Sequence, residues 1–141
     1  DKAGVKGFSF TGSIAAEFDT MVGSVGRMML GVPRASVAPS VNWVLARPKG
    51  LVAWGPDGKD FDWYHAYFGN LACFQVGGPT WATWNIRLSG ELAKAQSKLP
   101  GDAQGSWPAT GTLAQKGDAT ATAFGSLCLQ MYYRYLRLYK Y

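Results

Sequence analysis

Three predicted helices share one unusual feature, a glycine followed by a small polar residue near the middle of the helix. The pairs are Gly23-Ser24, Gly69-Asn70 and Gly125-Ser126, and they recur at intervals of roughly 50 residues. A glycine inside a helix costs about 1 kcal/mol relative to alanine, so a repeated one needs a structural reason. We expect that reason to be the close packing of a neighbouring helix. The interval itself indicates a repeating unit of two helices and two loops.

Apolar residues at helical spacing predict five main helices. The predicted segments are 13–30, 37–45, 60 or 62 to about 75, 80 to about 98, and 118 to about 138. Side chains that could cap these helices are Asp19 or Thr20, Asp62, Thr80 and Asp118. The glycine-bearing helices would be inner ones, alternating with two outer helices. The fourth helix would be half-exposed, with a polar face formed by Asn85, Arg87, Glu91, Lys94 and Lys98. The sequence therefore predicts an all-α fold of stacked helical hairpins, with residues 1–141 as a single domain.

Composition and charge restrict the class of protein. Hydrophobic residues make up 48% of the chain and charged residues 16%, which excludes an intrinsically disordered chain. No apolar run reaches the length of a transmembrane helix. The net charge is +5, and basic residues near the end, Arg134, Arg137 and Lys140, alternate with tyrosines. A final helix with a solvated basic stripe and a buried tyrosine stripe explains them, so we expect no nucleic acid partner.

The spacing of the two cysteines and the lack of several motifs argue against metal binding and against common classes of enzyme. Cys73 and Cys128 have no metal-binding spacing and fall in apolar helical segments, so we expect buried free thiols. A single disulfide remains an alternative in an oxidising compartment. The sequence contains no nucleophile elbow, zinc-protease motif, phosphate loop or dinucleotide fingerprint. We therefore expect no cofactor.

Two longer patterns resemble a known family. Gln96, followed by Gly105-Ser106-Trp107, resembles the repeat of squalene and terpenoid cyclases. The segment 67–75, YFGNLACFQ, is followed by GG, W and WN, and the chain closes with YYRYLRLY at 132–139. The whole is similar to the prenyltransferase/squalene-oxidase repeat proteins of planctomycete-type bacteria. This resemblance implies a partial α/α toroid that corresponds to the C-terminal portion of a longer repeat domain. It also implies an extracytoplasmic compartment such as the bacterial periplasm.

Only fragments of the catalytic motifs of this family occur in the sequence. Class II terpenoid cyclases use Asp-x-Asp-Asp, and the nearest sequence is Asp60-Phe61-Asp62, in which Asp62 is better explained as a helix cap. His65 lies in a segment similar to the one that carries the zinc histidine of protein prenyltransferases. No Asp-x-Cys is present to complete such a site, so we expect no metal. We interpret His65 as a histidine hydrogen-bonded among tyrosines.

Aromatic residues around this histidine are the candidate cavity lining: Trp63, Tyr64, His65, Tyr67 and Phe68. An aromatic stripe at helical spacing is more often part of a plain core. We therefore expect a non-catalytic helical-repeat module that packs against other protein chains or against missing N-terminal repeats. The alternatives are a cyclase-like enzyme whose acid lies outside this chain, or a pocket that binds an isoprenoid or hopanoid lipid.

Overall fold

The structure, a computed structural model, is all-α and describes residues 17–134. Within that range the chain forms six α-helices, one 3-10 turn and no strand. The elements are α1 (Glu17–Met29), α2 (Arg34–Leu45), α3 (Trp63–Val76), α4 (Gly78–Ala95), the 3-10 turn (Gly111–Leu113), α5 (Asp118–Leu129) and α6 (Met131–Arg134). The all-α prediction is confirmed, while the toroid and the single domain stay predictions. Expectations for the start of the first helix and for the tail after Arg134 lie outside the described residues.

Helices α1, α3 and α5 lie side by side, with α3 in the middle. Near the start of α3, the ring of Tyr64 lies 6.5 Å from that of Phe18 in α1 and 5.5 Å from that of Phe124 in α5. Further along α3, Nδ2 of Asn70 donates a 2.8 Å hydrogen bond to the carbonyl oxygen of Cys128. Contacts therefore advance along α3 and α5 together, which shows that the two helices are parallel.

Helices α2 and α4 run in the opposite direction and form a second layer. Glu17, the first residue of α1, pairs with Arg47 just beyond α2 at 2.8 Å. At the other end, the guanidinium of Arg34 donates to the carbonyl of Val76, the last residue of α3. The hydroxyl of Thr80 in α4 donates a 2.7 Å hydrogen bond to Oδ1 of Asn42 in α2. The described chain is thus a row of helical hairpins, with α1, α3 and α5 in one layer and α2 and α4 in the other.

Of the four predicted helix caps, one is confirmed and three are not. Asp62 caps α3 as predicted, since its Oδ1 accepts from the backbone N–H groups of Tyr64 and His65 at 3.0 Å. Thr80 does not cap α4, which begins at Gly78 because Pro79 suits the first helical turn. Asp118 is the first residue of α5 rather than its cap, and its carboxylate accepts from the N–H of Ala109. The predicted caps of the first helix, Asp19 and Thr20, lie inside α1.

Two helix boundaries also differ from the prediction. Helix α2 begins at Arg34, before the predicted start at residue 37, and it accommodates Pro39 in its interior. The predicted final helix is interrupted at Gln130, where the backbone leaves the helical conformation. Helix α6 then starts at Met131, so the last element is two short helices within the described part of the chain.

Two of the three repeated glycines, Gly69 and Gly125, mark places of close approach, and their neighbours are tryptophans. A Cβ atom at Gly69 would overlap ring carbons Cη2 and Cζ2 of Trp84 in α4. A Cβ at Gly125 would lie 2.7 Å from Cε3 of Trp107, in the segment that precedes α5. Both tryptophans are buried. Each of these two inner helices therefore uses its glycine as a notch that receives an indole ring.

Candidate binding cavity and aromatic face

The five predicted cavity residues differ in how deeply they are buried. Trp63 and His65 are buried, with 0% and 5% of their surface exposed. Tyr64, Tyr67 and Phe68 are half-buried. Neighbouring residues of a helix project about 100° apart, so the five side chains point in different directions around α3. Their role as the lining of a ligand cavity stays a prediction.

Trp63 belongs to a compact aromatic cluster in the core. Its ring lies edge-on to those of Trp54 and Phe61, at centroid distances of 5.6 and 4.9 Å. Both partners come from the loop before α3. Trp63 therefore anchors that loop beneath the first turn of the helix and does not line a cavity.

The half-buried residues join two others to form an aromatic face across the parallel helices, made of Phe18, Tyr64, Tyr67, Phe68 and Phe124. Phe68 contacts Phe18 edge-on at 6.0 Å, and Tyr67 contacts Phe124 at 5.8 Å. Phe18 and Phe124 are not among the residues predicted from the sequence. The repeat could have indicated Phe124, because it precedes Gly125 just as Phe68 precedes Gly69.

A cavity of about 550 Å³ lies where α1 and α3 begin. His65 is the only one of the predicted cavity residues that lines it. The other lining residues are Glu17, Phe18, Pro48, Lys49, Leu51, Val52, Ala53, Asp60, Phe61 and Asp62. Three of these side chains are carboxylic acids and one is a lysine.

Two of the cavity carboxylates are held by the fold. Arg47 donates a 2.8 Å hydrogen bond to Glu17 and lowers the pKa of that carboxyl below its usual value. Asp62 accepts two backbone N–H groups as the cap of α3. Asp60 lies in the loop before α3 and is exposed. The charged groups on the cavity wall are therefore mainly anionic.

His65 has a different environment from the one predicted. Its Nε2 lies 3.0 Å from the carbonyl oxygen of Gly50, and its ring is edge-on to Trp84 at 5.6 Å. No tyrosine surrounds it in these contacts, so the predicted tyrosine environment is wrong. A carbonyl oxygen can only accept, so the neutral ring carries its proton on Nε2. The other nitrogen, Nδ1, is a buried acceptor with no hydrogen-bond partner among the described residues.

The predicted repeat signature comes together in space. Nε2 of Gln96, at the end of α4, donates a 2.7 Å hydrogen bond to the carbonyl of Gly105. The indole N–H of Trp107 donates to the carbonyl of Leu92 at 2.8 Å. The backbone N–H of Trp107 donates to the hydroxyl of Thr122 in α5 at 3.1 Å. Gln96, Gly105 and Trp107 therefore tie the loop after α4 to both helices that it connects.

Glu91 was predicted to lie on the exposed face of α4, but only 6% of its surface is exposed. Its Oε2 accepts the backbone N–H of Trp54 at 2.8 Å. Its Oε1 lies 3.2 Å from Nζ of Lys94 and 3.7 Å from Nε of Arg87. The bond from Trp54 is the main reason that the pKa of Glu91 is lowered, and the two cations add to it. The carboxylate fastens the loop before α3 to the outer helix.

We expect Glu91→Gln to lower the free energy of unfolding by about 1–2 kcal/mol near neutral pH, because the charged acceptor is lost. A carboxyl whose pKa is lowered on folding contributes stability above its unfolded value, here 4.5. That contribution disappears as the pH falls through the folded value. Urea unfolding across acidic and neutral pH should therefore show the difference from the parent shrinking below pH 4.5. A difference that stays constant would contradict the assignment, and Asp102→Asn controls for the loss of one exposed charge.

The tyrosines that begin the C-terminal run are more exposed than predicted. Tyr132 and Tyr133 have 56% and 91% of their surface exposed, so the buried tyrosine stripe is wrong for these two. Tyr132 still has a partner, because its hydroxyl accepts a 2.8 Å hydrogen bond from the indole N–H of Trp81. Tyr133 projects into solvent beside the exposed Arg134.

Both cysteines are buried free thiols, as predicted. Burial raises the pKa of Cys73 well above its usual value and that of Cys128 to about 12. Because only the thiolate is nucleophilic, we expect neither to react with iodoacetamide in the native protein at neutral pH. Mass spectrometry should show modification only after unfolding in urea. Modification of the native chain at the rate of a free cysteine would contradict this prediction.

Within residues 17–134, no three His, Cys, Asp or Glu side chains gather closely enough to ligate one metal ion. No helix in this part of the chain combines the length and the apolar character that crossing a membrane requires. Comparison with protein-family models, with curated proteins and with solved structures finds no match to this chain.

Proposed function

We propose that this chain is a non-catalytic helical-repeat module that binds other protein chains. One observation carries the proposal: large apolar side chains are exposed where α1 and α5 end. Because α1 and α5 flank α3 and run parallel to it, their last residues lie at the same end of the molecule. We define this apolar end by its residues: Met29, Leu30, Leu129 and Tyr133.

The exposure of these side chains is high for residues of their type. Leu30 and Tyr133 have 85% and 91% of their surface exposed, and Met29 has 60%. Exposed large apolar residues at one end of a molecule are typical of a surface that binds another protein. Repeat arrays normally cover an exposed apolar surface with a further repeat or with a partner. The family resemblance, which implies a C-terminal part of an α/α toroid, belongs to the same proposal.

The side chains that could act as a catalytic acid or nucleophile favour a binding module over an enzyme. A cyclase-type acid must hold a proton at neutral pH, yet hydrogen bonds lower the pKa of both Glu17 and Glu91. The two thiols are buried and protonated. Asp62 and Asp118 are occupied by backbone N–H groups. Glu17, Glu91 and Asp118 instead join segments that are separate in the chain, as expected in a structural module.

The isoprenoid or hopanoid pocket is the second candidate, and the aromatic face favours it. Rings from α1, α3 and α5 are half-exposed there, and such surfaces suit apolar ligands. The cavity beside His65 suits them less, because three carboxylic acids line it. A lipid ligand would therefore bind at the aromatic face and not in the cavity.

The test is to purify the protein from its source and examine it by native mass spectrometry. We expect a complex with another protein chain that Leu30→Asp and Tyr133→Asp each disrupt. Ile86→Asp is the matched control, because Ile86 is 73% exposed on the outer helix α4, away from the apolar end. A chain that stays unaccompanied and turns over squalene would overturn the proposal in favour of an enzyme. A bound lipid with no protein partner would favour the second candidate.

A further inference from the structure

The acidic residues of this chain are segregated along the helix axes. Residues 20–56, 63–90 and 119–141 contain no Asp or Glu. The acids of the described chain lie in the first turns of α1 and α5, in the loop before α3, near the end of α4 and in the loop after it. Because α2 and α4 run opposite to the other helices, all of these places are at the end of the molecule where α1, α3 and α5 begin.

Charges of both signs occur at that end and pair with one another. Arg47 lies 2.8 Å from Glu17, and Lys94 lies 3.2 Å from Glu91. The fields of paired opposite charges largely cancel a short distance away. The end where α1, α3 and α5 begin is therefore charged but balanced.

The apolar end carries charge of one sign. Arg27 is in the last turn of α1, and Arg34, the first residue of α2, donates to the carbonyl of Val76 at the end of α3. Arg134 is exposed in α6, next to Tyr133. No Asp or Glu of residues 17–134 lies at this end. Its exposed apolar side chains are therefore accompanied by cationic groups alone.

This combination restricts the chemistry of whatever covers the apolar end. Two copies of the chain that met through it would bring arginines against arginines, which opposes a symmetric dimer. A surface that supplies carboxylates beside its apolar contacts is favoured instead, because a guanidinium forms paired hydrogen bonds with a carboxylate. Arg34 can keep its bond to Val76 and still bind such a group, since an arginine has five N–H donors.

The kind of cation favours a protein over an anionic lipid surface. Every lysine of residues 17–134 lies at the end where α1, α3 and α5 begin, whereas the cations of the apolar end are all arginines. Arginine, tyrosine and methionine are enriched in interfaces between proteins, and lysine is depleted. The apolar end thus has the side-chain types of a protein interface, including Met29 and Tyr133.

We propose that the partner bound at the apolar end is an acidic protein surface, whose carboxylates pair with Arg27, Arg34 and Arg134. This inference rests on the proposed function, because it states the chemistry of the same partner. The apolar contacts supply affinity, while the arginines select the partner and accelerate the encounter.

The test uses the complex purified from its source, whose two chains are separated and titrated against each other by calorimetry. We expect the dissociation constant to rise about tenfold as sodium chloride increases from about 0.05 to about 0.5 M, because salt screens exposed charges. An affinity that does not change with salt would overturn this inference and leave the proposed function standing. A chain purified without any protein partner would overturn both.

A matched pair of charge reversals locates the effect. Arg134→Glu should weaken binding about tenfold at low salt, and the difference from the parent should shrink at high salt. Lys98→Glu changes the net charge equally, but Lys98 is exposed just beyond α4 at the opposite end, so its affinity should match the parent's. Equal weakening by both reversals would show a general charge effect, and tighter binding by Arg134→Glu would show a basic partner. Either result rejects the inference.

The other possible occupants are tested directly with the isolated chain. Sedimentation with vesicles of phosphatidylcholine, with and without phosphatidylglycerol, measures binding to an anionic lipid surface. We expect no binding to either. Binding to the phosphatidylglycerol vesicles that Arg134→Glu removes would identify a lipid surface in place of an acidic protein. A homodimer that Leu30→Asp disrupts would identify a second copy, and it would equally refute the inference.

Discussion

Replacing Gly69 by alanine should lower the free energy of unfolding by about 2–3 kcal/mol, although alanine is the better helix former. The new Cβ would overlap the ring of Trp84, which is fully buried and cannot move outward. The backbone of α3 or of α4 must shift instead, and α3 is the helix that every neighbour contacts. Chemical denaturation followed by tryptophan fluorescence measures the effect.

Gly26→Ala is the matched control for this prediction. Gly26 also lies inside a helix, but no atom lies within 4 Å of the position its Cβ would take. We expect this variant to gain up to about 1 kcal/mol from helix propensity alone. Adding Trp84→Phe to Gly69→Ala should recover part of the loss, since the smaller ring leaves room and the indole N–H of Trp84 has no partner among the described residues. A Gly69→Ala protein as stable as the parent would show that the notch is not tight.

Trp107→Ala should be the most destabilising single substitution considered, with a loss of about 3–5 kcal/mol. The indole is 3% exposed, fills the notch at Gly125 and donates to the carbonyl of Leu92. Its loss would open a cavity between α4 and α5 and release the loop that Gln96 holds. Both thermal and urea unfolding should show this loss of stability.

Trp107→Phe separates the two contributions. It keeps most of the ring but removes the N–H donor, so we expect a loss of about 1–2 kcal/mol. Trp43→Ala serves as the control for removing an indole, because Trp43 is only half-buried on α2 beneath the guanidinium of Arg47. It should cost less than Trp107→Ala. An equal cost for the two alanine variants would mean that the notch at Gly125 contributes nothing specific.

Capping residues show where local signals succeed and where they fail. Asp62 was assigned correctly because its partners are the N–H groups two and three residues further along the same chain. Asp118 and Thr80 carry the same signal, but each binds a group that folding brings near it. Ala109 is the partner of Asp118, and Asn42, in another hairpin, is that of Thr80. No reading of neighbouring residues could have found either partner.

The candidate site was predictable only in part for a similar reason. Helix α3 is apolar and aromatic around its whole circumference, so its periodicity does not show which side faces solvent. The structure buries Trp63 and His65 and leaves Tyr64 and Tyr67 half-exposed. Glu91 was misassigned because a glutamate between Arg87 and Lys94 is typical of a solvated helix face. Its burial depends on the N–H of Trp54, which is 37 residues away.

The sequence by itself determined that the described part of the chain is all-α, that its helices alternate between two layers, and that Gly69 and Gly125 mark close contacts. These properties follow from helix periodicity and from the cost of glycine, both of which act between near neighbours along the chain. Only the tertiary structure decided that indole rings fill the notches at Gly69 and Gly125, and that His65 lines an anionic cavity. Those outcomes depend on atoms that are distant in sequence and become neighbours, desolvated and in fixed geometry, only when the hairpins pack.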